Sequence, residues 1–112
     1  MKLIKAFVRK NRVDDVLLGL QEAGAAGATV SHVHGVGYGF RRHLGGLAPN
    51  DLSKTEEAFK VEVVCRSQQV DDLLETLVSS ARTGFAGDGI VFVTNVERVK
   101  KIRNGNEGHD AL

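Results

Sequence analysis

Val13-Asp14-Asp15-Val16-Leu17-Leu18-Gly19-Leu20 returns as Val70-Asp71-Asp72-Leu73-Leu74-Glu75-Thr76-Leu77, an offset of 57 residues from Val13 to Val70, and Gly27 maps onto Gly84 at that offset. Such an echo implies two related halves. Within each half the apolar residues keep helical spacing: Val13, Val16, Leu17 and Leu20 in the first, and Val70, Leu73, Leu74, Leu77, Val78 and Ala81 in the second. Both segments read as amphipathic helices with one core-facing stripe. Asn11 and Ser67 are the expected N-caps, and each Asp pair falls in a first turn, where negative charge complements the helix dipole. The paired carboxylates therefore need no catalytic explanation.

Strand-like segments flank each helix: Leu3 to Arg9, Ala28 to Gly37, Ala58 to Cys65 and Gly89 to Asn95. The order is β-α-β-β-α-β. Two such split units in one sheet, with both helices on one face, make an α+β, ferredoxin-like fold. Alternation in the third strand directs Phe59, Val61, Val63 and Cys65 toward the helices and Lys60, Glu62 and Val64 away. The outward face mixes Phe7 and Val64 with Lys5, Arg9, Lys60 and Glu62, a surface suited to an oligomer interface or a ligand cleft.

The 112 residues are expected to form a single domain spanning 1–112 that gains from association with copies of itself. A net charge of +1 gives no electrostatic case for nucleic acid or an acidic membrane, and the lack of Trp weakens a base-stacking platform. One cysteine, Cys65, excludes an intrachain disulfide and a cysteine-cluster zinc site, and a free thiol in an apolar strand fits a reducing compartment. Lys2, Lys5, Arg9 and Lys10 interrupt the N-terminal apolar run well short of a membrane span. A cytoplasmic protein without direct membrane insertion is expected.

Arg82-Thr-Gly-Phe-Ala-Gly-Asp-Gly-Ile-Val-Phe-Val93 carries the strongest ligand signal, because Gly84, Gly87 and Gly89 let successive backbone N–H groups converge on an anion. The basic segment Lys101-Ile-Arg103 follows at a distance suited to folding back on that loop, and together they suggest a nucleotide-phosphate site. Between the central strands lies a long connection, 38–55, in which Phe40, Leu44, Leu47 and Leu52 suggest docking on a partner; packing on the chain's own surface is the plainer alternative.

Val13-Asp14-Asp15-Val16, Gly24-x-x-Gly27-x-Thr29-Val30, Gly35-x-Gly37, Thr83-Gly84-x-x-Gly87-Asp88-Gly89-x-x-Phe92-Val93 and Ile102-Arg103-x-Gly105, in this order, resemble the PII signal-transduction proteins over nearly the whole chain. The resemblance implies a homotrimer with adenine-nucleotide sites between subunits. It also implies that residues 38–55 are a T-loop reporting ligand state to a target protein, and that 96–112 form a C-terminal segment. Phe7, Thr29, Gly35, Gly37, Glu62 and Val64 match positions around adenine and ribose, Gly87, Asp88 and Gly89 match the phosphate loop, and Arg103 matches an arginine reaching phosphate from the adjoining subunit. Lys101 stands where a second arginine is usual, keeping the charge without the planar fork.

Three departures refine that expectation. Ile90 replaces a phosphate-neutralising lysine, which penalises the most highly charged ligand and predicts that ADP or AMP binds as well as ATP or better. Gly39 and Ala58 replace the glutamine and lysine that serve 2-oxoglutarate in the family. The loop's modifiable tyrosine motif is absent, Tyr38 being the only tyrosine. The expected function is a non-enzymatic regulator that binds adenine nucleotide, with or without Mg²⁺ and with no resident cofactor, and controls a transporter or metabolic enzyme. A second reading is a trimeric metal-responsive protein, because His32 and His34 share a strand face and His43 lies in the loop.

Overall fold

The computed structural model describes residues 1–37, 39, 40 and 55–112. Four strands, β1 (Lys2–Arg9), β2 (Thr29–Gly35), β3 (Glu56–Cys65) and β4 (Ile90–Asn95), form one antiparallel sheet in the order β2-β3-β1-β4. Helices α1 (Val13–Glu22) and α2 (Val70–Ala81) follow β1 and β3. This is the ferredoxin-like α+β arrangement expected, with both inner strands contributed by the starts of the two halves. β3 begins two residues earlier than alternation suggested, because Glu56 and Glu57 pair with Gly35 and His34.

The internal repeat becomes the two halves of one core. Ile4, Ala6, Val8, Val16 and Leu20 are fully buried, and the residues at the same offset in the second half, Val61, Val63, Cys65, Leu73 and Leu77, are buried with them. Phe59 pairs with Val8 and packs against this core as alternation requires. Gly19 lets the helices approach closely: a Cβ there would stand 2.7 Å from Ser80 Oγ. Burial pushes the Cys65 thiol above its usual pKa, so it behaves as a small hydrophobe.

The helix starts differ from expectation. Asn11 lies inside a single 3₁₀ turn, Lys10–Arg12, and Ser67 opens another, Ser67–Gln69; neither side chain caps a helix. Each turn tightens the chain before the helix, and near α2 the Gln69 side-chain oxygen instead accepts from the Arg66 N–H at 3.1 Å. Arg12 takes a different job. Its Nε and Nη2 donate to Ser80 O at 3.0 and 2.7 Å, bringing positive charge to the carbonyl end of α2. The Asp pairs do occupy the first turns of both helices.

Cross-strand pairing sets the outer sheet face as Leu3, Lys5, Phe7 and Arg9 of β1, Ala58, Lys60, Glu62 and Val64 of β3, Thr29 of β2, and Ile90 and Phe92 of β4. Neither helix covers that face. Beyond β4 the chain forms a hairpin in which Lys100 bridges Glu107, Lys101 N donates to Asn106 O and Gly108 N to Val99 O. Arg98 and Lys100 pair with Glu107 at 2.6 and 3.6 Å, which holds the two arms together. Among the described residues, no helix is long and apolar enough to cross a membrane.

Candidate functional site

Asp88 organises the glycine-rich loop from within. Its carboxylate accepts from Thr83 N and Gly84 N at 2.9 Å each, from the Thr83 hydroxyl, and from Arg9 Nε at 2.9 Å. Arg9 also donates through Nη2 to Ala86 O at 2.6 Å, so β1 grips the loop at two points. The Thr83 hydroxyl first, and then the Arg9 guanidinium, hold the Asp88 carboxyl far below the usual carboxylate range. These contacts spend the Asp88 side chain on holding the loop. Asp88 is thus a positioning residue in a loop whose Gly84, Gly87 and Gly89 all have positive φ.

A depressed carboxylate pKa adds stability above its unfolded value of about 4 that is lost as pH falls through the folded value. Below about pH 4 the wild-type loop is therefore expected to loosen progressively, and Asp88→Asn to show the loosened state at neutral pH without that acid component. Amide exchange at Thr83 and Gly84 across a pH series reads this directly. Identical protection in both proteins at pH 7 would count against it.

Next to the loop stands an aromatic cluster. Phe7 meets Phe92 edge to face at 6.3 Å between centroids and Phe40 at 6.4 Å, and the Phe40 ring lies directly over Gly35. Gly89 passes so close to β1 that a Cβ would fall 1.8 Å from Phe7 O, and Gly39 in turn lies against Gly89 O. Phe7, Gly35 and Gly87 to Gly89 are thereby brought together at one end of the outer face. Gly37, with positive φ, accepts from Phe40 N at 2.9 Å and closes the turn leading into the cluster.

Thr29, Glu62 and Val64 gather at the other end. Thr29 pairs with Glu62, and Val64 with Leu3. They line an open groove of about 440 Å³ with Gly27 and the C-terminal Ala111 and Leu112. Glu62 is held by Lys60 of its own chain at 3.3 Å, leaving the carboxylate partly exposed. Lys101 and Arg103 sit in the turn of the C-terminal hairpin, and among the described residues their side chains make no hydrogen bond or ion pair. The expected fold-back of this basic segment onto its own loop is not among the contacts observed.

Sequence reasoning missed Arg9 and Thr83 as the loop's anchors. Strand alternation puts Arg9 on the outer face, but nothing in its spacing names Asp88 as its partner. Phe40 follows the plainer alternative and packs on its own chain; Leu44, Leu47, Leu52 and His43 lie outside the described residues. His32 and His34 do share a face, at the edge strand on the helix side, with rings 5.6 Å apart. His34 Nδ1 is engaged by Thr55 Oγ1 at 2.8 Å, and the His32 ring lies 5.2 Å from that of Phe59, tilted by 43°. Among the described residues no three His, Cys, Asp or Glu side chains converge to hold a metal ion.

An antiparallel ferredoxin-like sheet with one face uncovered by helices and a glycine loop gripped by β1 defines a small α+β scaffold. The profile of the family described as Nitrogen regulatory protein P-II matches residues 1–106. The chain is 37% identical to the nitrogen regulatory protein P-II of Pasteurella multocida over 119 aligned residues, and 36% identical to that of Microchaete diplosiphon over 116, with full coverage of both chains in each pair. It superposes on Arabidopsis thaliana PII bound to citrate with a TM-score of 0.81 at 32% identity, covering 98% of this chain and 87% of that one. This chain belongs to the P-II family, and it is accordingly a non-enzymatic signalling protein.

Proposed function

We propose that this protein is an adenine-nucleotide-responsive regulator that works as a homotrimer in the cytoplasm, with nucleotide held between subunits and the 38–55 T-loop passing ligand state to a target transporter or metabolic enzyme. One observation carries the reading. The residues that match the family's nucleotide contacts fall into two groups on the same sheet face, Phe7 with Gly35 and the glycine loop at one end, Thr29 with Glu62 and Val64 at the other. Phe7 lies four steps along β1 from Leu3, about 13 Å at ~3.3 Å per residue. A cleft in which one copy's Phe7 end faces another's Thr29 end joins the halves, and Lys101 and Arg103, unpaired within their own described chain, supply charge across the boundary. Phe7 and Val64 then pack on the base, Thr29 hydrogen-bonds its edge, Glu62 accepts from ribose hydroxyls, and the N–H groups of Gly87, Asp88 and Gly89 receive phosphate. Citrate on the Arabidopsis relative supports a scaffold open to small anionic ligands.

The test is calorimetric titration with ATP, ADP and AMP, with and without Mg²⁺ and 2-oxoglutarate, alongside the solution mass. A trimer that binds ADP or AMP at least as well as ATP and ignores 2-oxoglutarate is expected; no binding of any adenine nucleotide overturns the reading. Ile90 is partly exposed at the start of β4, one residue beyond Gly89. Ile90→Lys adds a cation there and is expected to raise ATP affinity relative to AMP by about tenfold, a charge–charge gain of about 1.4 kcal/mol. An unchanged ATP/AMP ratio would place the phosphates elsewhere.

A further inference from the structure

We propose that Phe40 is a built-in plug: its ring occupies the seat on Phe7 and Gly35 that a nucleotide base takes, so ligand entry expels it and frees the start of the 38–55 loop. This rests on the nucleotide site proposed above and adds a mechanism by which occupancy reaches the loop. Phe40 belongs to no strand and to neither half of the helix-side core, yet it is only 9% exposed. Its burial comes from the ligand face. The ring stands edge-on to Phe7 at 82° between planes, and its carbons come within 2.4 to 2.6 Å of where a Cβ on residue 35 would be. A base cannot pack on that side of Phe7 and Gly35 while the ring is there.

The segment that carries Phe40 is pinned as well. The Gly37–Phe40 hydrogen bond closes the turn, and Gly39, at φ +87°, rests on Gly89 O, where a Cβ would approach to 2.4 Å. Residues 39 and 40 thus cover Phe7, Gly35 and the last glycine of the loop at once. Binding reads the fraction of molecules with the seat free, since apparent affinity falls in proportion to that fraction. Expelling the ring also breaks the contact at Gly89, so one event changes both the site and the chain leading into the loop.

The experiment compares full-length wild type with Phe40→Ala by ADP calorimetry and by limited trypsin digestion, read at Arg41 and Arg42, which directly follow Phe40. Phe40→Ala is expected to bind ADP about tenfold more tightly and to be cleaved faster than wild type without nucleotide. ADP is expected to raise the wild-type cleavage rate toward that of the variant. Gly35→Ala, which pushes the ring out while keeping it in the chain, is expected to speed nucleotide-free cleavage in the same way, and Phe40→Leu carries the comparison where the alanine variant folds poorly. Equal or weaker ADP binding by Phe40→Ala, or cleavage that ADP slows, overturns the plug and leaves the nucleotide site standing. Absence of ADP binding in every protein overturns both.

Discussion

Gly89→Ala is expected to destabilise the protein by about 2–5 kcal/mol and to abolish ligand binding at the glycine loop. Two costs add at this position. The backbone has φ +103°, which an L side chain adopts only under strain, and the new methyl would lie 1.8 Å from Phe7 O, inside any permitted contact. Because the obstruction is backbone in the central strand β1, no side-chain rotation relieves it; the loop must lift away from β1, which takes the Arg9–Asp88 grip with it. Gly84 separates the two costs. It has φ +90° but no atom within 4 Å of its added Cβ, so Gly84→Ala is expected to lose only the strain term, about 1 kcal/mol. Chemical denaturation midpoints of the two variants give the comparison, and equal losses would show that the close approach to β1 is unimportant.

Leu73→Ala is expected to cost about 3–5 kcal/mol, with a fall in denaturation midpoint and an unchanged slope. Leu73 is fully buried on α2, and it is the counterpart of Val16 on α1 in the internal repeat. Both belong to one buried cluster with Ile4 and Val61, so the deleted carbons leave a cavity at the junction of the halves, in a close-packed interior that relaxes only partly. Leu18, 55% exposed on α1, provides the contrast: Leu18→Ala is expected to stay within about 0.5 kcal/mol of wild type. A loss at Leu73 as small as at Leu18 would mean that the two halves do not share one packed core.

Some features were legible because they depend on short-range periodicity. The helical stripe from Val70 to Ala81 and the alternation from Phe59 to Cys65 assign each residue to a face without reference to the rest of the chain. The helix caps were not legible: Asn11 and Ser67 suit capping chemically, but a 3₁₀ turn places each of them before the helix begins. Phe40 shows a second limit. Its apolar character implied docking, whereas the choice between a partner and its own chain depended on Gly35 leaving room for the ring and on Gly39 meeting Gly89.

Residue order alone therefore settled the two-half architecture, the core-facing stripes and the family, because each is written in local spacing repeated over a long stretch. Three things waited for the tertiary structure: the capture of Asp88 by Arg9 and Thr83, the division of the candidate contacts between two ends of one sheet face, and the seating of Phe40 on Phe7. All three join residues far apart in the chain, and strand register and backbone approach, rather than spacing, decide which distant groups meet.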